Sequence, residues 1–266
     1  MLLSSVYGKT LRDWRRGLLG WGLGIGGYLV MAVGLWPAYS QDAEVLESLV
    51  AGMPEAVKAA FGITDLSTAV GYLEAQIFSF TLPLLLLVFG IAAGARAIAG
   101  DEESGSLELL LAHPVNRRRI VLERFAALAT SVAVFSLLVF LILAASDSLL
   151  GLGVGVGPVA AISVSLGLLG LLFGTLALAA GAATGARSVA IAAAVTVAAV
   201  GWAADSFGPL IEGLDWLQRL SPFYYYDAAR PLRDGLNAAH AVLLALLTAA
   251  ALAAGLWRFE RRDVGL

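Results

Sequence analysis

The stretch AQIFSFTLPLLLLVFGIAAGA, residues 75–95, runs for twenty-one positions without a charged side chain. About 20 predominantly apolar residues are what an α-helix needs to cross the hydrocarbon of a bilayer, so this segment reads as a membrane span. It has companions. Uncharged windows recur along the chain, at 17–37, 75–95, 125–145, 158–184, 188–204 and 238–257, and predict six spans, near 17–37, 75–99, 120–145, 158–184, 188–207 and 238–257. The fourth and fifth have the loosest boundaries, because no charge falls between Asp147 and Arg187 and the glycine-rich GLGVGVGP, Gly151 to Pro158, must make the turn.

Composition agrees with this reading. Hydrophobic residues make up 59% of the 266 positions and charged residues only 14%, against about 25% charged in an ordinary soluble domain. So few charges cannot cover a soluble surface, and the whole chain, 1–266, reads as a single all-α transmembrane domain. A net charge of −3 excludes a strongly basic nucleic-acid binder, and the absence of cysteine excludes disulfides, thiolate metal sites and cysteine nucleophiles. Lys9, Arg12, Arg15 and Arg16 precede a first span too long for a signal-peptide core and followed by no small-residue cleavage site, so that span is expected to be retained.

Charge asymmetry gives the expected orientation. With the N-terminus inside, thirteen of the seventeen Lys and Arg residues fall on the cytoplasmic side, and only Lys58, Arg219, Arg230 and Arg233 fall outside. That bias matches the positive-inside rule for six spans with both termini cytoplasmic. Before the first span, Leu3, Tyr7, Leu11, Trp14 and Leu18 form a stripe at helical spacing, with the basic residues off it, which predicts an amphipathic interfacial helix over 1–16.

Two external segments are expected. In 38–74, Asp42 suits the cap of one short helix, Pro54 the first turn of another, and Gly62 a stop. In 205–235, an amphipathic piece from Ile211 to Leu220 precedes SPFYYYDAARPL. There Trp216, Pro222, Phe223, Tyr224, Tyr225 and Tyr226 are candidates for an external gate or an aromatic interface, since Tyr and Trp favour the membrane boundary. Glycine pairs at contact spacing, Gly20 with Gly24, Gly22 with Gly26, Gly90 with Gly94 and Gly170 with Gly174, permit close helix approach without identifying which helices meet.

The segment between the second and third spans, GDEESGSLELLLAHPVNRRR, residues 100–119, is of another kind. Asp101 is placed to cap a short helix, Glu102 and Glu103 suit its positive end, and Pro114 closes it. Leu107, Leu110 and Leu111 share one face beside Glu103 and Glu108, a pattern suited to docking in a partner's groove. Asn116 can cap the third span, while Arg117, Arg118 and Arg119 sit where the helix dipole disfavours cations. Topology, lipid phosphate or an acidic partner must explain them.

Within it EESGSLELLLAHPVNR, residues 102–117, resembles the signature of ABC-2 type transporter permeases: acidic residues, a Gly-Ser/Thr-Leu-Glu core, a leucine run and a Pro-Val-x-Arg ending. Ser106 stands where threonine is common in that family and Asn116 where serine is common. The resemblance extends to the amphipathic start, the long external loop, the six spans and SPFYYYDAARPL. It implies a coupling helix that fits a cleft in a separate ATP-binding subunit, present in two copies, and a second permease chain, identical or not, around the pathway. The roles fall on Glu102, Glu103, Gly105, Leu107, Glu108, Leu109, Leu110, Pro114 and Arg117. ATP and Mg²⁺ would be held by the partner, with no cofactor on this chain, which would be an exporter subunit of a prokaryotic cell membrane and not itself an enzyme.

Other signals are weaker. Gly8-Lys9-Thr10 lacks the earlier glycine and strand of a phosphate-binding loop, and Gly22, Gly24 and Gly27 match a dinucleotide fingerprint inside a span. His113 and His240 have no second ligand at metal spacing. A secondary transporter or channel would place ionisable groups inside the uncharged windows, which hold no Asp, Glu, Lys or Arg, and an intramembrane hydrolase would need a nucleophile with a base there. A sensory or structural partner is the remaining alternative. Apolar walls favour a lipophilic or amphipathic cargo.

Overall fold

The computed structural model describes residues 5–42, 48, 50–63, 65–107 and 116–262. Among them every regular element is helical, and six helical stretches are long and apolar enough to cross a membrane. Such stretches satisfy every backbone polar group internally, which hydrocarbon requires.

The first, α1 (Val6–Gly34), starts where the Ser5 hydroxyl accepts the Gly8 N–H, and it has no interruption between its amphipathic beginning and its apolar remainder. The short α2 (Glu55–Phe61) follows Pro54 and stops at Gly62, whose φ of +59° is the left-handed conformation that glycine adopts without a Cβ penalty. The helix expected after Asp42 falls largely outside the described residues.

The second span is a composite. A turn capped by Thr68, Ala69–Leu73, passes through a wider π-helical turn, Glu74–Phe78, into α3 (Thr81–Ala95), then a second π turn, Arg96–Gly100, and ends with Asp101–Glu103. Asp101 therefore caps no fresh helix. It lies inside a continuous helical rod, and its carboxylate is engaged by Arg124 and not by a local backbone N–H.

The third, α4 (Arg117–Leu150), is capped by Asn116 as expected and ends at Gly151. In the turn Gly151, Gly153 and Gly155 all have positive φ, and the Asp147 carboxylate accepts the N–H groups of Val154 and Gly155, each at 3.0 Å. Next come α5 (Val156–Thr184) and α6 (Arg187–Phe207), split by Gly185. The amphipathic piece expected from Ile211 to Leu220 is irregular up to Leu214 and forms a 3₁₀ helix over Asp215–Leu220. After it, α7 (Pro222–Asp227) opens with Pro222 at its first position, and α8 (Ala238–Arg261) is capped by Asn237.

Helix α5 is the hub: it packs on α3, α4, α6 and α8. Its contact with α3 is made by glycine. A Cβ on Gly90 would lie 2.7 Å from the Gly170 carbonyl oxygen, so the two backbones touch where both residues lack side chains. Phe89 meets Phe135 of α4 edge to face with ring centroids 4.7 Å apart, and Leu29, Val33, Phe78 and Phe173 fill the surrounding core. By contrast α1, α6 and α8 leave broad apolar faces uncovered. No Cβ contact awaits Gly17, Gly20 or Gly24 on α1.

Candidate coupling site and external aromatic cluster

Residues far apart in the chain converge where both termini meet the segment after the second span. Asp101 pairs with Arg124, which is only 4% exposed. Arg124 Nη1 also donates to Thr10 Oγ1 on α1 at 2.8 Å, and that hydroxyl donates back to the Val6 carbonyl. Glu102 pairs with Arg262 just past α8, and Glu103 Oε1 accepts the backbone N–H of Arg187, the first residue of α6, at 2.7 Å. Three consecutive carboxylates thus reach α4, the end of α8 and the start of α6.

The arginines at the head of α4 find partners as well. Arg117 Nη1 donates to the carbonyls of Phe259 and Arg262, at 3.2 and 2.6 Å, so it caps the C-terminal end of α8. Arg118 pairs with Glu260, and Arg119 with Glu123 at 2.6 Å. Glu123 also accepts the Tyr7 N–H at 2.8 Å, satisfying a free donor in the first turn of α1. The unfavourable placement of these cations at their own helix N-terminus is offset by what they hold elsewhere.

Of the residues expected to dock a partner, Glu102, Glu103 and Arg117 bond within the chain. Gly105 turns the backbone at φ +71°, and Leu107 is buried. Glu108, Leu109, Leu110 and Pro114 lie outside the described residues. Arg124 and Thr10 were not singled out in the sequence: Arg124 reads there as one more basic residue, and its partners stand 23 and 114 positions away.

At the opposite end the aromatic candidates divide. Pro222 starts α7 behind Ser221, whose hydroxyl accepts the Phe223 N–H at 3.0 Å. Phe223 is buried against Phe173, and the buried Tyr226 donates its hydroxyl to the Phe78 carbonyl at 2.8 Å. Tyr224 and Tyr225 meet edge to face, and both rings contact His240 at the start of α8. Trp216 is exposed. Phe223 and Tyr226 therefore pin α7 to the bundle, while Trp216, Tyr224 and Tyr225 remain nearer its surface. Arg233 holds Glu74 bidentately at the same end, and the hydrogen bonding to Glu74 raises its pKa further above the ordinary guanidinium range.

Comparison with known proteins gives one family. A family model described as ABC-2 family transporter protein matches residues 4–264. No curated protein matches the chain.

Proposed function

The chain belongs to the ABC-2 transporter family, and from that premise we propose that it is the permease of an ATP-driven exporter. It works with a second permease chain and with two copies of a separate ATP-binding subunit, which supply ATP and Mg²⁺. Both termini face the cytoplasm of a prokaryotic cell, in keeping with thirteen of seventeen Lys and Arg residues at that end. The cargo is lipophilic or amphipathic, in keeping with apolar walls.

The observation that carries this reading is the attachment of the segment after the second span. Asp101, Glu102 and Glu103 connect it to α4, α8 and α6, and Arg124 extends the connection to α1. A push from below on such a segment is delivered to four spans at once. We assign Glu108, Leu109, Leu110 and Pro114 to the docking face. Glu102, Glu103, Leu107 and Arg117 are its anchors, with Gly105 as the turn between. Trp216, Pro222 and Phe223 to Tyr226 form the external closure.

The test is ATP turnover by purified material. The isolated chain has no hydrolysis, and the complex with its ATP-binding partner has hydrolysis that its cargo stimulates. Turnover by the isolated chain, free of contaminating ATPase, overturns the assignment.

A further inference from the structure

Helices α3 and α6 stand apart along much of their length and leave a groove of about 380 Å³ between them. Leu84, Leu87 and Val88 line one wall and Ile191, Val195 and Ala198 the other. Phe80, Trp202 and Phe223 close its far end, and Phe80 and Trp202 meet edge to face at 6.0 Å. From Ile191 to Trp202 the helix rises about 17 Å at 1.5 Å per residue, close to the thickness of one leaflet, which is half of a core about 30 Å thick.

At its other end the groove meets a smaller cavity of about 110 Å³, with Ala92 lining both. Trp14, Trp21 and Phe89 line this second cavity together with Arg96 and Arg187. Arg96, at the start of the π turn after α3, lies one turn beyond Ala92, and Arg187 lies one turn before Ile191 on α6, so each arginine extends a groove wall by a single turn. Among the described residues neither guanidinium has a carboxylate partner, unlike Arg118, Arg119, Arg124 and Arg262. Arg96 instead lies over the Trp14 ring at 5.6 Å. Glu103 is nearby, but one of its oxygens is engaged by the Arg187 backbone N–H.

Two cations without a carboxylate partner among the described residues, at the mouth of a leaflet-long apolar slot, have a complement in one class of molecule. We propose that this is a binding site for an anionic lipid, whose phosphate lies between Arg96 and Arg187 and one of whose hydrocarbon chains lies in the α3–α6 groove. The guanidinium forks suit phosphate oxygens, and the groove covers apolar chain that would otherwise be packed by bulk lipid. The site goes beyond the permease reading and needs neither ATP nor a partner, so binding is measured on the chain alone.

The chain is placed in nanodiscs of equal phosphatidylglycerol and phosphatidylcholine, released, and weighed with its retained lipid by native mass spectrometry. The parent retains phosphatidylglycerol in preference. The Arg96→Gln/Arg187→Gln double variant loses about tenfold or more in retention, the order expected when two phosphate-facing cations are removed. Val195→Trp, which fills the groove from an exposed position, loses retention to a similar degree, and thermal unfolding of both variants matches the parent. Equal retention of the two lipids by the parent overturns the site, as does a double variant that retains phosphatidylglycerol unchanged. Loss in the double variant but not in Val195→Trp also overturns it, since the groove would then hold no chain. Inorganic phosphate binding as tightly as the lipid marks a phosphate site and contradicts it equally.

Discussion

Arg124 shows how much one side chain can hold in this fold. It is buried, bonded to Asp101 and to Thr10, and adjacent to Arg96. Truncating one member of a buried ion pair leaves the other charge without compensation, at a cost of about 3–5 kcal/mol. Arg124→Ala should therefore lower stability by about 3 kcal/mol, toward the low end because the Asp101 side chain is 26% exposed. Asp101→Asn/Arg124→Gln should recover part of the loss, because no charge is then stranded. Thermal unfolding of the three proteins in detergent measures both effects, and an Arg124→Ala variant as stable as the parent refutes the role.

Asp65 offers a smaller case outside the membrane. Its carboxylate accepts the Ser67 hydroxyl and backbone N–H and the Thr68 hydroxyl, at 2.6, 2.8 and 2.9 Å, and the Ser67 hydroxyl bond is the largest influence holding its pKa below the ordinary value of 3.8. A depressed carboxylate stabilises the fold above the unfolded value, and that contribution disappears as pH falls through the lower folded value. The turn before Ala69 should keep its protection in hydrogen exchange down to about pH 4 and lose it below. In Asp65→Asn the acid-dependent step should be absent.

Among the elements, the glycine-lined contact between α3 and α5 makes a pair of opposite expectations. Gly90→Val drives a side chain into the Gly170 carbonyl and should destabilise by about 1–3 kcal/mol or separate the helices. Gly20→Val on α1 meets nothing within 4 Å and should leave the monomer's unfolding temperature unchanged. Equal losses at both positions contradict the packing described.

This contrast also marks what the sequence carries. Apolar length alone reveals the six spans, and local chemistry reveals Asn116 as a cap, Gly62 as a stop and the glycine turn after Leu150. Which glycines meet is a tertiary fact: Gly90 and Gly20 sit in similar local patterns, yet only one faces another backbone. The continuity of α1 is hidden because an amphipathic stripe passing into a uniformly apolar run contains no breaker. The π turns around α3 have no spacing signature. At the site, the acidic run and leucines after the second span are visible by composition. The inward pairing of Asp101, Glu102 and Glu103 is not, because their cations lie far away in the chain and only folding brings them together.

At the scale of the molecule, the placement of charge predicts sidedness. Single cysteines introduced at Ser48 and Asn237 of this cysteine-free chain should react with an impermeant thiol reagent added outside cells, and one at Ser106 only after the cytoplasm is opened. Labelling of the Ser106 variant from outside would reverse or break the six-span arrangement. The predicted sidedness would put Asp101, Glu102 and Glu103, and the network that ties them to α1, α4, α6 and α8, on the side where ATP is available.

The most direct measurement of coupling is ATP turnover of the complex purified through this chain, comparing the parent with Leu110→Asp. Burying a leucine is worth about 1.5–3 kcal/mol, and the aspartate adds a charge to be desolvated, so the variant should reach the membrane in normal amount yet carry little ATP-binding subunit and little turnover. A Leu110→Asp chain that retains the partner and hydrolyses ATP at the parent's rate would show that this segment only connects two spans, and would contradict the account.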